Sequence, residues 1–194
     1  RDWSVTGVQT CALPIYNFSF VEQTVEYLTR IGAPPAFFEM ATPANPNAHK
    51  RRTAYVQMMD RLGLEPRLIQ VEGEGWSFEE IGRNGAFAVL KDKPLPAESI
   101  LCSNDRLAIG FLSACYELGI SVGRGEDCAL RVASNDDHPF SKFTCPSLTT
   151  AAHDYDAVAS HAVETLFNLI EDAGKFTSRS EQLFPARLVF RESA

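Results

Sequence analysis

The chain has no apolar run near the ~20 residues that a membrane-spanning helix needs, so nothing in its hydropathy commits it to a bilayer. Cysteine is sparse and, more tellingly, unpatterned: five are present, and Cys102, Cys115, Cys128 and Cys145 show neither a C-x-x-C nor a mixed Cys/His spacing. Neither a metal centre nor a disulfide framework is expected, and the spacing favours reduced thiols in a cytoplasmic protein. Positive charge is short as well. There are 18 Lys and Arg against 25 Asp and Glu, a formal charge of -7, and the densest basic stretch is "HKRR". A phosphate backbone needs a larger cationic footprint, so these residues are not expected to bind nucleic acid themselves. Catalytic motifs are missing too. No G-x-x-x-x-G-K-[ST] phosphate loop and no G-x-S-x-G elbow occurs, and Gly119, Gly123 and Gly125 neither follow a strand nor complete a dinucleotide fingerprint. No catalytic residue is nominated, and neither an enzyme nor a bound cofactor is expected.

What is present is an ordinary globular composition, 45% hydrophobic and 22% charged, with apolar segments of two alternating kinds. Short runs of strand character alternate with longer stretches at helical spacing, which predicts an α/β fold with a parallel sheet flanked by helices. "FVEQTVEYLTRIG" places Phe20, Val21, Thr24, Val25 and Leu28 on one stripe and runs into Gly32. "AFFEM", Ala36 to Met40, is the first strand candidate. "NAHKRRTAYVQMMDRLG" then reads as a helix capped at Asn47, with Gly63 beyond its end. "RLIQV" is a strand, and "SFEEIGRNGAFAVLKD" is a helix opened by Ser77 with Glu80 three residues on, the capping-box arrangement, although Gly82 and Gly85 weaken it. Strands "ESILCS", "CALRVAS" and "SLTTAA" follow, with the helix "NDRLAIGFLSACYELG" after the first of them. In "DYDAVASHAVETLFNLIEDAG" Asp154 caps a helix whose stripe runs from Tyr155 through Val158, Val163 and Leu166 to Ile170. "LFPARLVFRES" closes as a strand that Pro185 confines to an edge or a crossover.

The opening is of another character. "VTGVQTCALPI", Val5 to Ile15, has no amphipathic period and resembles the in-frame translation of a sequencing-library adapter. Residues 1–15 are therefore expected to be a non-native scar, with the natural chain entered at about Tyr16.

In open parallel α/β sheets, ligands bind beyond the carboxyl ends of the strands. The residues there are Asn45, Asn47, His49 and Arg52 after "AFFEM", Trp76 after "RLIQV", Asn104 and Asp105 after "SILC", and Asp136, Asp137 and His138 after "CALRVA". An aromatic plate, a guanidinium, amides and carboxylates on one rim suit a polyhydroxylated ligand, whose ring stacks while polar groups take its hydroxyls in pairs. Several of these residues fit a second role. Asn104 and Asp105 also suit a helix cap, Trp76 suits half-buried packing, Arg52 a solvated surface, and Asp136 with Asp137 a turn before Pro139. His138, His153 and His161 lack a carboxylate or thiol at ligand spacing and read as structural or exposed.

The blocks "LCSNDRLAIGFLSACYELGISVG", "RVASNDDHPFSKFTCPSLTT" and "PARLVFRES", in this order and spacing, resemble the effector-binding domain of LacI-type bacterial transcription regulators, relatives of the lactose and purine repressors and of periplasmic sugar-binding proteins. The resemblance covers about residues 16 to 194. It implies a periplasmic-binding-protein-like core of two α/β subdomains, with a small effector, usually a sugar or nucleoside-like metabolite, in the cleft. It further implies that the family's ligand contacts fall on Arg52, Trp76, Asn104, Asp105 and Asp136, with Asn47 beside them. By the same resemblance the C-terminal subdomain, residues 36–149 and 183–194, is nearly complete. The N-terminal one is present only as residues 16–35 and 150–175, whose helices are then expected to expose the stripes of Phe20, Val25 and Leu28 and of Val158, Val163 and Leu166. Operator DNA would be read by a helix-turn-helix outside these residues, in a homodimer of the intact protein. "SNDD" stands where the family commonly has "GYDD", and "NPNAHKRR" is this chain's own, so effector identity is not implied. Two alternatives remain open: the sugar-binding protein of a transporter, which shares the fold, and a nucleotide-dependent α/β enzyme.

Overall fold

In the computed structural model, residues 17–42, 45–91, 93–171, 184 and 186–194 are described. The adapter-like residues 1–15, Tyr16 and Pro185 lie outside them. By compactness the chain forms two units, one of residues 17–152 with 187–194 and one that includes residues 153–186.

The larger unit is built on a six-stranded sheet. Its strands are β1 (Ala36–Met40), β2 (Leu68–Val71), β3 (Ser99–Cys102), β4 (Arg131–Asn135), β5 (Thr149–Ala152) and β6 (Arg187–Val189). Their spatial order is β2-β1-β3-β4-β5-β6. Strands β1 to β5 are mutually parallel, and β6 returns antiparallel on the β5 edge, with Ala151 opposite Leu188. Four helices cover the sheet: α1 (Asn17–Ile31), α2 (Pro46–Arg61), α3 (Phe78–Leu90) and α4 (Asp105–Glu117).

Strand alternation divides β1 between two cores. Ala36, Phe38 and Met40 join Ile100, Val132, Leu107 and Phe111 in the cluster under α3 and α4, where the Phe38 and Phe111 rings meet edge to face at 5.0 Å. Phe37 instead stacks on Tyr55 of α2 at 5.0 Å. The Tyr55 hydroxyl donates to Pro35 O and accepts from Arg67 N, both at 2.9 Å. Burial pushes that phenol up from its ordinary value.

The glycines that weaken the α3 prediction are what allow α3 and α4 to close on each other. A Cβ on Gly82 would stand 2.3 Å from Leu107 O, and one on Gly110 would stand 2.0 Å from Glu79 O. Propensity is overridden here by backbone proximity. Two capping expectations shift. The α2 cap is Asn45, whose side chain accepts from Ala48 N at 3.0 Å with Pro46 next, so Asn47 lies inside the first turn. Ser77 sits at φ -81°, ψ 56° and forms no side-chain cap bond, because that geometry is not the extended one a capping hydroxyl needs.

Helix α1 does not expose the stripe expected of it. The stripe of Phe20, Val21, Val25 and Leu28 is fully buried, and α1 packs on α2 and on β3 to β6. It lies in the same compact unit as the sheet, whose face and α2 supply its apolar partner.

In the smaller unit α5 (Tyr155–Glu171) is the described helix. Asp154 accepts from Ala157 N at 2.9 Å, as a cap should. Val163, Leu166, Phe167 and Ile170 are exposed. No described helix is long and apolar enough to cross a membrane.

Candidate functional site

Beyond the carboxyl ends of β1, β2, β3 and β4 the larger unit holds a cavity of about 260 Å³, whose lining includes Glu39, Met40, Asn45, Asn47, Arg51, Trp76, Phe78, Asn104, Asp105, Arg106, Asp136 and His138. Of the residues nominated from sequence, Asn47, Trp76, Asn104, Asp105 and Asp136 are brought together here. Arg52 is not.

The arginine in the cavity is its neighbour. Arg51 is 7% exposed. Its Nη1 donates to Ser103 O at 2.7 Å and to Asp136 Oδ2 at 3.2 Å, while Nη2 donates to Asp136 Oδ1. The result is a forked guanidinium–carboxylate pair. Beneath it the Phe20 ring lies 5.6 Å from the guanidinium carbon. One residue along a helix is a rotation of about 100°, and Arg52 accordingly turns its Nε to within 2.6 Å of Glu39 Oε1, a carboxylate only 2% exposed. The signal that could have separated the two lies in the sequence. Arg51 stands three and four residues before Ala54 and Tyr55, both buried, and capping at Asn45-Pro46 puts it one turn in on that same inward stripe.

Trp76 is a platform at the rim, 64% exposed, with Phe78 braced edge to face against it at 5.6 Å. Arg106 lies over the other aromatic, its guanidinium carbon 5.1 Å from the Phe78 centroid, and is forked onto Glu79 at 2.6 and 2.7 Å. The hydrogen bond from Arg106 holds the Glu79 carboxyl below its ordinary value.

Asn104 does cap α4: its side-chain oxygen accepts from Leu107 N at 2.9 Å, and its residue also lines the cavity. Asp105 is 1% exposed and heavily engaged. Its Oδ1 accepts from Thr150 Oγ1 at 2.6 Å, and its Oδ2 accepts from Ser141 Oγ at 2.6 Å and His138 N at 2.8 Å. Burial pushes the Asp105 carboxyl up, and these donors pull the other way. Asp136 is likewise pushed up by burial, with Arg51 opposing.

Asp136 and Asp137 both have positive φ, 121° and 50°. The turn reading and the site reading of this pair thus hold together: a turn in the left-handed region aims Asp136 at Arg51. Asp137 faces elsewhere and accepts from Arg191 Nη2 at 2.6 Å. His138, read from sequence as structural or exposed, lines the cavity. Among the described residues no group of three His, Cys, Asp or Glu is placed to hold a metal ion.

Chemically, the cavity offers one open aromatic face, amide groups and forked ion pairs that already balance most of its charge. A lining of this kind offers stacking together with paired hydrogen-bonding groups.

Residues 25–194 match the periplasmic binding protein-like domain. Over 96 residues, 50% of this chain and 25% of the relative, the sequence is 36% identical to the lactose operon repressor of Klebsiella pneumoniae. Over 137 residues, 70% of this chain and 38% of the relative, it is 31% identical to the HTH-type transcriptional regulator MalR of Streptomyces coelicolor. The Lac repressor bound to ONPG in its repressed state superposes with a TM-score of 0.78 at 23% identity, covering 93% of this chain and 52% of that one; at such identity the likeness establishes the fold. The chain thus spans between a quarter and two fifths of the length of these curated relatives.

Proposed function

The chain belongs to the periplasmic binding protein-like domain family, and from that premise we propose that it is the effector-binding portion of a LacI-type transcription regulator. The effector is a small neutral polyhydroxylated metabolite, with a sugar as the first choice. Trp76 stacks on its ring, and Asn47, Asn104 and the Arg51–Asp136 pair take its hydroxyls. Operator DNA is the partner of a helix-turn-helix in the whole protein, which acts as a cytoplasmic homodimer. Helix α5, Tyr155–Glu171, belongs to the family's other subdomain. Effector binding shifts the dimer between states of different operator affinity, a coupling of typically ~1–3 kcal/mol.

The observation that carries this reading is the convergence of residues from four separate strand ends, with Trp76 open at the rim, on one cavity of about 260 Å³. That volume lies just below the ~300–1,000 Å³ of small-molecule sites. The relatives' names, which specify repressors and regulators, point the same way.

Titration with lactose, D-glucose, D-ribose, adenosine and AMP, followed by tryptophan emission, tests it. At least one neutral probe is expected to give a saturable change. Trp76→Ala and Asp136→Ala are expected to weaken that binding by about tenfold or more while the thermal transition is retained, since each removes a contact worth ~1–3 kcal/mol. A response to AMP alone, or to no probe, would overturn the reading. Loss of the thermal transition in Trp76→Ala or Asp136→Ala would assign the residue to the fold instead.

A further inference from the structure

Asp105 lines the cavity, yet its carboxylate has little left to offer a ligand. Both oxygens are engaged, by Thr150, Ser141 and the His138 amide, at 2.6, 2.6 and 2.8 Å. These three donors are not scattered. His138 and Ser141 are the outgoing limb of the turn that begins at Asp136, and Thr150 is on the neighbouring strand β5. The Thr150 hydroxyl also receives the Asp137 N–H at 3.3 Å. Because it donates to Asp105, its lone pairs are left facing that amide, so one carboxylate governs both limbs of the turn.

The turn needs such control. Asp136 at φ 121° and Asp137 at φ 50° occupy the left-handed region, where side-chain-bearing residues persist only if their surroundings over-determine them. Asp136 N is fixed by Ala151 O at 2.9 Å, and the Asp137 carboxylate by Arg191. Asp105, at the first position of α4, ties the remaining limb to the helix N-terminus, where a carboxylate is well accommodated. The consequence appears at the cavity: the turn delivers the Asp136 carboxylate in register with both Arg51 nitrogens.

We propose that Asp105 is a positioning residue of this site, one that does not meet the bound molecule but holds the strained turn that presents Asp136 to Arg51. The proposal deepens the effector-binding reading above and rests on it. It replaces the direct ligand contact that sequence reasoning assigned to Asp105.

Two measurements on the 194-residue chain test it, one without any ligand. In nuclear magnetic resonance, the Arg51 guanidinium protons are expected to be resolved and slowly exchanging in the unaltered chain. They should stay so in Asp105→Asn, which keeps an acceptor for His138 and Ser141, and be lost to exchange in Asp105→Ala. Should Asp105→Ala not fold, Ser141→Ala and Thr150→Val each release one tether and are expected to speed that exchange by a smaller amount. Unchanged Arg51 protons in a folded Asp105→Ala, or in both single-tether variants, would overturn the proposal.

The second measurement uses whichever of lactose, D-glucose, D-ribose or adenosine the unaltered chain binds. Asp105→Ala is expected to weaken binding roughly tenfold, and Asp105→Asn less than about threefold. In an Asp136→Ala background the Asp105→Ala change should add less than about twofold, because residues acting through one another are not additive. Equal losses with and without Asp136 would mean that Asp105 touches the ligand and would also overturn it. Absence of binding by every probe, together with the expected Arg51 behaviour, would count against the effector reading while supporting the placement of Asp136 by Asp105.

Discussion

Helices α1 and α5 begin as near equals in sequence. They are 15 and 17 residues long, each is amphipathic, and each carries an apolar stripe that asks for a cover. Their outcomes differ. On α1 the side chains of Phe20, Val21, Val25 and Leu28 are exposed by 1% or less, whereas on α5 those of Val163, Leu166, Phe167 and Ile170 are 43–66% exposed. An amphipathic period therefore states that a surface needs a partner and says nothing of where the partner comes from. For α1 the partner is assembled from two sources: α2, the second element after it, and the face formed by β3 to β6, whose strands come from residues 99–189. For α5 a row of large apolar side chains stands open among the described residues, of the kind that marks an interaction surface.

Truncating the sealed stripe should cost most. Phe20→Ala removes a ring at 1% exposure and leaves a cavity between α1 and α2, so it is expected to destabilise the chain by ~3–5 kcal/mol, read as a fall in the denaturant midpoint at constant slope. A loss below ~1 kcal/mol would mean that α1 is no better covered than α5. Next in size is a change that adds an atom. In Gly110→Ala the new methyl would lie 2.0 Å from Glu79 O and 2.6 Å from Arg83 N. Both are backbone, so α3 and α4 must separate, at ~1–3 kcal/mol. Thermal unfolding of Gly110→Ala beside Ser113→Ala, an exposed position on the same helix, distinguishes this cost from any effect of helix propensity.

Much of this architecture was legible because its signals are local. Strands such as "AFFEM" and "SILC", and the helix stops at Gly32 and Gly63, need only periodicity and backbone preference to be read. The rule that ligands gather beyond parallel strand ends then places Trp76, Asn104 and Asp136 on one rim. What could not be read depends on rotation or on distant partners. Arg51 and Arg52 differ by a single helical step, and it is Arg51 that lines the cavity while Arg52 turns to Glu39. Asp105 lies at the expected strand end, but its engagement could not be read, because two of the donors that meet its carboxylate, Ser141 and Thr150, lie 36 and 45 residues away. The expected exposure of the α1 stripe is overturned for the same reason, since its burial is a property of the closed sheet and not of the helix.

The smallest expected effect bears hardest on the comparison. Phe167 is 60% exposed on α5, so Phe167→Ser removes an apolar group that water already reaches and should change stability by no more than ~0.5 kcal/mol. The variant should instead lower self-association of the 194-residue chain, measured by light scattering against concentration, because the open stripe is the surface through which copies would stick. Hydrogen exchange gives the complementary reading: amides of α1 should exchange through global unfolding, and those of α5 through a cheaper local opening. If Phe167→Ser instead cost as much as Phe20→Ala, or if α5 were as protected as α1 in a monomer, the two helices would be equally covered. The contrast between a covered stripe and one left open would then no longer stand.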